Sequence, residues 1–318
     1  MIIEPAKPMV YAGVYPFNPG ELKELKAALE KLCLNDNSVS MVMESSIALG
    51  QGWRLGFLGV LHMEVFTQRL EQEFNAQVVV TAPSVPYKIF LKNEKGSKKL
   101  NGQELLVSNP SEWREKFEVS EYQEPMVLGT IISPTEYLSS VLEICHERRG
   151  EQRSIDNIDQ TRLNIQFLFP LNEVVTNFFD ELKCVTSGYA SFDYEDAGYQ
   201  SSDLHKLNVL LNGQEIHELG TICHSSKIRQ RAKAVVLKLK EELPRQQFNI
   251  SIQAAISGKI MARSDLKAVR KDVTAKCYGG DISRKMKLLK NQAEGKKRMK
   301  KFGNIEISKD TFIKILTK

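Results

Sequence analysis

Between Arg284 and Lys301 the chain carries nine basic residues, Arg284, Lys285, Lys287, Lys290, Lys296, Lys297, Arg298, Lys300 and Lys301, against one acid, Glu294. Fixed positive charge at that density suits polyphosphate: each phosphate that a lysine or arginine neutralises releases condensed counterions, which drives binding. The spacing predicts a helix. Gly279 and Gly280 make a turn, Asp281 accepts the free N–H groups of the helix start, and Gly295 interrupts the helix. Ile282, Met286, Leu289 and Ala293 fall on one narrow apolar stripe, too thin for deep burial, and the cations cover the rest. Like-charged and opposite pairs at three or four residues' spacing nearly cancel at about 0.2–0.5 kcal/mol each. A negatively charged partner therefore tips the segment towards order. The bland alternative is a solvated basic tail, from which the glycine turn and the apolar stripe set this run apart.

Lys259, Arg263, Lys267, Arg270, Lys271 and Lys276 extend the same basic surface. Residues 264–277 read as a helix, which puts Arg263, Lys267, Arg270 and Lys271 on one face. Three more arginines are candidate contacts. Arg148 and Arg149 close a helix, where they either meet phosphate or complement the helix dipole. Arg245 sits in a polar turn after Pro244, which reads equally as a solvated loop. Of the aromatic residues Tyr189, Phe192, Tyr194 and Tyr199, Phe192 is expected in a core, with Tyr194 on the same strand face; Tyr189 and Tyr199 are open to base stacking or packing.

Catalytic chemistry finds no support in the spacing. Gly258-Lys259 is followed by Ile260, and Gln253 stands where a phosphate loop needs its first glycine. No Asn-Lys-x-Asp sequence reads guanine. His62, His146, His205, His217 and His224 lack acidic or cysteine partners at metal-ligand spacing, and the adjacent Cys223-His224 cannot face each other as nucleophile and base. Cys33, Cys145, Cys184, Cys223 and Cys277 form no CxxC and suggest a reducing compartment. No apolar run is long enough to span a membrane, and the amino terminus resembles neither a signal nor a transit peptide.

The composition, 42% apolar and 26% charged, is that of an ordinary globular protein. The overall charge of +5 conceals an asymmetry: residues 251–318 hold 18 basic and 6 acidic residues, net +12, so the remainder is net −7. One end of the chain is built for a polyanion.

The elements behind that end follow from periodicity. Residues 9–82 read as strand, helix, strand, strand, helix, strand, and the same order returns over 125–199, each a split β-α-β unit. The expected fold class is α+β: two tandem ferredoxin-like βαββαβ sandwiches, then an α+β terminal domain with a basic helix. The expected domains are 1–83, a linker with an insertion at 84–124 that carries little core, 125–202 and 203–318. In the last, 207–211 is a strand ended by Asn212-Gly213, 227–242 a helix, 248–255 a strand, and 305–307 and 312–316 the closing segments.

Four stretches carry a family resemblance: Leu-Gly-Phe-Leu-Gly-Val-Leu-His-Met-Glu-Val at 55–65, Gly-Tyr-Ala-Ser-Phe-Asp-Tyr-Glu-Asp-Ala-Gly-Tyr at 188–199, Leu-Pro-Arg-Gln-Gln-Phe at 243–248, and Ala-Lys-Cys-Tyr-Gly-Gly-Asp-Ile-Ser-Arg-Lys at 275–285. Over nearly its whole length the chain resembles the carboxy-terminal half of LepA, elongation factor four, in its mitochondrial branch. The resemblance implies that residues 8–83 and 125–200 are the third and fifth domains shared with elongation factor G. It implies that 203–318 is the special domain contacting tRNA and ribosomal RNA. It also implies a monomer that binds the ribosome, promotes back-translocation or rescues stalled complexes, and works in the mitochondrial matrix with peripheral inner-membrane attachment; without the resemblance a cytoplasmic location is the default. GTP and Mg belong to the full-length family, and no cofactor is expected on this chain. Two rivals fit the same residues: a stand-alone RNA-binding module or decoy, and a peripheral membrane protein using the basic amphipathic helix.

Overall fold

The computed structural model describes residues 8–46, 49–92, 104–175, 177–269, 273–274 and 282–302. They fall into two units, Met1–Asp203 and Leu204–Lys318. The first unit begins with strand β1 (Val10–Pro16), helix α1 (Leu22–Asn35), β2 (Ser40–Ser46), β3 (Gly50–Phe57), α2 (Val60–Phe74) and β4 (Val78–Val80). Leu25, Ala28, Leu29 and Leu32 recur at helical spacing and are the buried face of α1; Met63, Phe66 and Leu70 do the same for α2. Both stripes pack on Ala12, Val14, Leu55 and Phe57 of the sheet. The strands lie in the order β2-β3-β1-β4, with every pair antiparallel, which is the ferredoxin-like arrangement.

A polar clasp ties the end of α1 to the start of α2. The Ser38 amide and hydroxyl donate to Asp36 Oδ1 at 3.2 and 2.5 Å, and His62 Nε2 lies 2.6 Å from Asp36 Oδ2. Because the Leu58 amide donates to His62 Nδ1 at 3.2 Å, Nδ1 is the acceptor and Nε2 carries the proton towards Asp36. The Ser38 hydroxyl, followed by His62 and the Ser38 amide, holds the Asp36 carboxyl below its usual range against a smaller opposing effect of burial. A carboxylate depressed on folding stabilises above its unfolded pKa of about 3.9, and that contribution is lost as pH falls through the lower folded value. Asp36→Asn is therefore expected to lower the thermal midpoint at pH 6, with the gap to the wild type closing as the pH falls below the ordinary carboxylate range. A gap independent of pH would refute the carboxylate's role.

The stretch 84–124, expected as a linker with little core, contributes one. Strands β5 (Tyr87–Leu91) and β6 (Glu104–Val107) form a hairpin that pairs through β5 with the long strand β7 (Val119–Pro134). Val85, Tyr87, Ile89, Val107, Val119 and Tyr122 are buried, and Trp113 stacks on Tyr122 with ring centroids 4.8 Å apart. The Arg54 guanidinium fixes this hairpin to the first sheet: it pairs with Glu44 at 3.0 Å and donates to Ser84 Oγ and the Ser108 carbonyl, each at 3.2 Å. The lysine-rich texture of 92–99 had masked the alternating Val85, Tyr87, Ile89 pattern beside it.

The second half of β7 begins another ferredoxin-like set with α3 (Leu138–Glu147), β8 (Glu151–Asn157), β9 (Arg162–Pro170), α4 (Leu171–Val174), α5 (Phe178–Val185) and β10 (Ser191–Ser201). β8 pairs with β9, β9 with β7 and β7 with β10, all antiparallel, repeating the strand order of the first sheet. Phe169 and Phe178 are buried, and the half-buried Phe192 packs edge-on against both at 6.4 and 4.9 Å, on the core side its strand position suggested. The second helix of this repeat is two short ones, parted at Asn177, whose φ is +46°.

The second unit is β11 (Leu204–Leu211), β12 (Gln214–His224), α6 (Ile228–Glu242), β13 (Ile250–Ile256), β14 (Lys259–Leu266) and α7 (Ile282–Phe302). Its antiparallel sheet runs β12-β11-β13-β14, with Ile228, Ala232, Val236 and Leu239 as the buried face of α6. Two-residue turns close its hairpins. Asn212 and Gly213 have φ of +51° and +88°, and Ser257 and Gly258 have +45° and +81°, the left-handed pair whose twist matches that of the strands. The helix expected over 264–277 is corrected over its described start: residues 264–266 belong to β14, which pairs with β13, 267–269 are not helical, and the four-residue spacing of Arg263 and Lys267 had imitated a helical face. The closing segments 305–307 and 312–316 lie outside the described residues.

Candidate nucleic-acid interface

The basic run forms α7, 21 residues of helix, which at 1.5 Å per residue makes a rod of about 30 Å. Gly295 does not interrupt it: the helix continues to Phe302, and a Cβ at Gly295 would meet nothing within 4 Å. Tertiary packing does not hide the rod. Ile282, Met286 and Leu289 of the apolar stripe are 75%, 66% and 49% exposed. Arg284, Lys287 and Lys290 are exposed, Lys285 and Lys296 half-buried, and the helical backbone carries Lys297, Arg298, Lys300 and Lys301 onwards from them. The Lys296 ammonium donates to the Val269 carbonyl at 2.7 Å and ties α7 to the segment after β14. Among the described residues Lys285, Lys287 and Lys290 form no ion pair, which leaves their charge for an outside anion.

The neighbouring candidates divide. Lys259 and Arg263 are exposed on β14, and Lys267 follows that strand. Arg263 is partly neutralised by Asp265 at 3.2 Å, both half open to water, where such a pair contributes little and yields to a stronger anion. Arg270, Lys271, Lys276, the Gly279-Gly280 turn and the Asp281 cap lie outside the described residues. Arg245 is exposed in the turn beyond Pro244, whose backbone is held by a bond from the Val269 amide to the Gln246 carbonyl. Arg148 and Arg149 are engaged inside the first unit: Arg148 Nη2 meets Glu181 at 2.6 Å, and Arg149 forks onto Glu124 at 2.5 and 3.1 Å. Their helix-end role is internal pairing rather than an open phosphate contact.

Sequence reasoning missed a second cationic face. Residues 227–240 hold Lys227, Arg229, Arg231, Lys233, Lys238 and Lys240 with no acid until Glu241. Arg229, Lys233 and Lys240 are exposed together along one flank of α6, next to its buried stripe. Cations in the first turn oppose the helix dipole at about 0.3–1 kcal/mol each, and no acid offsets them there. An anionic partner at that end would relieve the tension. The signal was available as a run of six cations without an acid; reading the helix only for its apolar period passed over it.

Gly258 and Lys259 lead from a hairpin turn into a strand rather than into a helix that could cradle phosphate. Burial pushes the Cys145 thiol up to about 12, far from a reactive thiolate. Among the described residues no three His, Cys, Asp or Glu side chains gather as metal ligands, and no helix is long and apolar enough to cross a membrane.

Comparison with known proteins agrees with this layout. Residues 121–210 match the family model "Elongation factor G C-terminus", and 211–317 match "GTP-binding protein LepA C-terminus". The chain is 56% identical over 311 residues to "Translation factor GUF1, mitochondrial" of Homo sapiens, covering 98% of this chain and 46% of the relative. It is 51% identical to "Translation factor waclaw, mitochondrial" of Drosophila melanogaster, over 98% of this chain and 45% of that protein. With "Elongation factor 4" of Alkaliphilus oremlandii it shares 49%, over 97% and 50%. A crystal structure of a Thermus thermophilus protein matches at 18% identity and a TM-score of 0.40, over 63% of this chain and 42% of that one. The chain thus spans about half the length of the curated relatives it matches.

Proposed function

We propose that this chain, which belongs to the LepA family of translation factors and corresponds to the carboxy-terminal part of its members, docks such a factor onto the ribosome. One observation carries the reading: a 21-residue helix on which Arg284, Lys287 and Lys290 and the apolar Ile282, Met286 and Leu289 are exposed, in the same unit as a second helix that exposes Arg229, Lys233 and Lys240. An exposed rod of that charge fits RNA phosphate, with Arg284, Lys285, Lys287, Lys290, Lys296, Lys297, Arg298, Lys300 and Lys301 of α7, Lys259, Arg263 and Lys267, and Arg229, Lys233 and Lys240 of α6 as the contacts. Arg270, Lys271 and Lys276 extend the set by sequence, and Arg245 stands at its margin.

The ferredoxin-like sandwiches are rigid carriers, each with its own core. In this reading the contacted polyanions are ribosomal RNA and tRNA, the outcome is back-translocation or rescue of stalled elongation complexes, and the location is the mitochondrion, which the names of the relatives support. GTP and Mg serve the family's nucleotide-binding part, and no residue of this chain is assigned to them.

Sedimentation with purified mitochondrial ribosomes tests the docking role. The chain is expected to pellet with ribosomes at about 50 mM salt and to weaken roughly a thousandfold by about 200 mM if some six phosphates are contacted. Failure to pellet at low salt removes the reading. The exposed stripe of Ile282, Met286 and Leu289 also fits an anionic lipid surface. Liposome flotation with competing RNA separates the two: RNA that strips the chain from vesicles favours the ribosome, and RNA that leaves it bound favours the membrane.

A further inference from the structure

The second ferredoxin-like set carries a feature that the cationic surface does not use. At the turn between α5 and β10, Tyr189 is 70% exposed and stacks on Tyr137, with ring centroids 6.5 Å apart and planes within 20°. The turn is built from the inside. Thr186, fully buried, donates its hydroxyl to the Leu182 carbonyl at 2.7 Å and accepts from the Ala190 amide at 3.1 Å. Ser187 and Gly188 both have positive φ, +52° and +85°, and the Tyr189 amide closes the turn onto the Thr186 carbonyl at 3.0 Å. The Lys183 ammonium donates to the Gly188 carbonyl at 3.2 Å, which puts a cation beside the exposed ring.

A large aromatic ring left mostly in water contributes little to the fold beyond its stack on Tyr137, so its use lies in what covers its open face. The surroundings select the occupant. Ser187, Gly188 and Lys183 give the turn polar edges, and the Lys183 ammonium also lies 5.3 Å from the centre of the half-exposed Phe179 ring, a setting that suits a flat ring carrying an anion. The geometry points to Tyr189, backed by Tyr137, as a platform on which one unpaired nucleobase stacks, with Lys183 beside it for the attached phosphate. This rests on the ribosome reading above and adds to it a site that discriminates unstacked RNA from duplex.

The test compares Tyr189→Ala, Tyr189→Phe and the wild type for affinity to purified mitochondrial ribosomes across a salt series. Stacking is worth about 1–3 kcal/mol per base, so Tyr189→Ala is expected to weaken binding about 5- to 150-fold. Tyr189→Phe keeps the ring and should bind like the wild type. Neither variant carries a changed charge, so the salt slope should be unaltered, unlike that of any variant in α7. Ultraviolet crosslinking from residue 189 of the wild type should map to a ribosomal RNA nucleotide. Wild-type affinity for Tyr189→Ala, equal weakness of Tyr189→Phe, or a crosslink to a ribosomal protein overturns the platform while leaving docking intact; a wild-type chain that ignores ribosomes overturns docking itself. Because Tyr189 is exposed, the thermal midpoint of Tyr189→Ala should match that of the wild type, and a large drop with weakened binding counts against the platform.

Discussion

Replacing Lys285, Lys287, Lys296, Lys297 and Arg298 together with alanine is expected to flatten the salt dependence of ribosome binding. Each phosphate contact contributes about 0.7–0.9 to the slope of log affinity against log salt, so five lost contacts reduce it by up to about 4. The helix itself should survive, because alanine is the strongest helix former and removes like-charge pairs such as Lys297 with Lys301. Circular dichroism that stays helical while the slope collapses separates lost charge from lost structure. Substituting Arg229, Lys233 and Lys240 on α6 makes a parallel series, and a further drop there would show two faces neutralising the same polyanion. An unchanged slope in the α7 variant sinks the assignment.

What could be read from the residues, and what could not, divides along physical lines. The ferredoxin-like order was legible because Leu25, Leu29 and Leu32 and the strand alternation around Val10 and Leu55 repeat at periods that only one secondary structure satisfies. The Asn212-Gly213 turn announced its hairpin through the φ it requires. The end of β14 was misread because the four-residue spacing of Arg263 and Lys267 suggested a helix face, while pairing with β13, which local spacing does not reveal, decided the matter. Gly295 was overvalued as a breaker: one glycine costs a helix about 1 kcal/mol, which a rod of this length carries. Long-range pairing was invisible altogether. Nothing near Arg149 in sequence reveals that Glu124 is its partner, 25 residues away.

That pair sets the second large effect. Glu124 is buried, and both its oxygens accept from Arg149, whose guanidinium also reaches Ser202 Oγ at 3.3 Å. Arg149 occupies the left-handed position that ends α3, with φ of +60°, where glycine is usual. Glycine comes one residue later because a Cβ at Gly150 would lie 2.5 Å from the Phe169 ring and 2.8 Å from the Cys145 carbonyl. Arg149→Ala therefore keeps the backbone strain and leaves a buried carboxylate without its cation, at a cost of about 3–5 kcal/mol. Arg149→Gly strands the same carboxylate but relaxes the backbone, so it should be less damaging by about 1 kcal/mol. Glu124→Gln combined with Arg149→Ala removes the stranded charge and should recover part of the loss. Urea midpoints in the order wild type, double variant, Arg149→Gly, Arg149→Ala would support this account. Ribosome binding supplies the decisive contrast: the folded fraction of each variant should bind with the wild-type salt slope, because this arginine faces an internal acid, and a reduced slope would return it to the RNA-facing set.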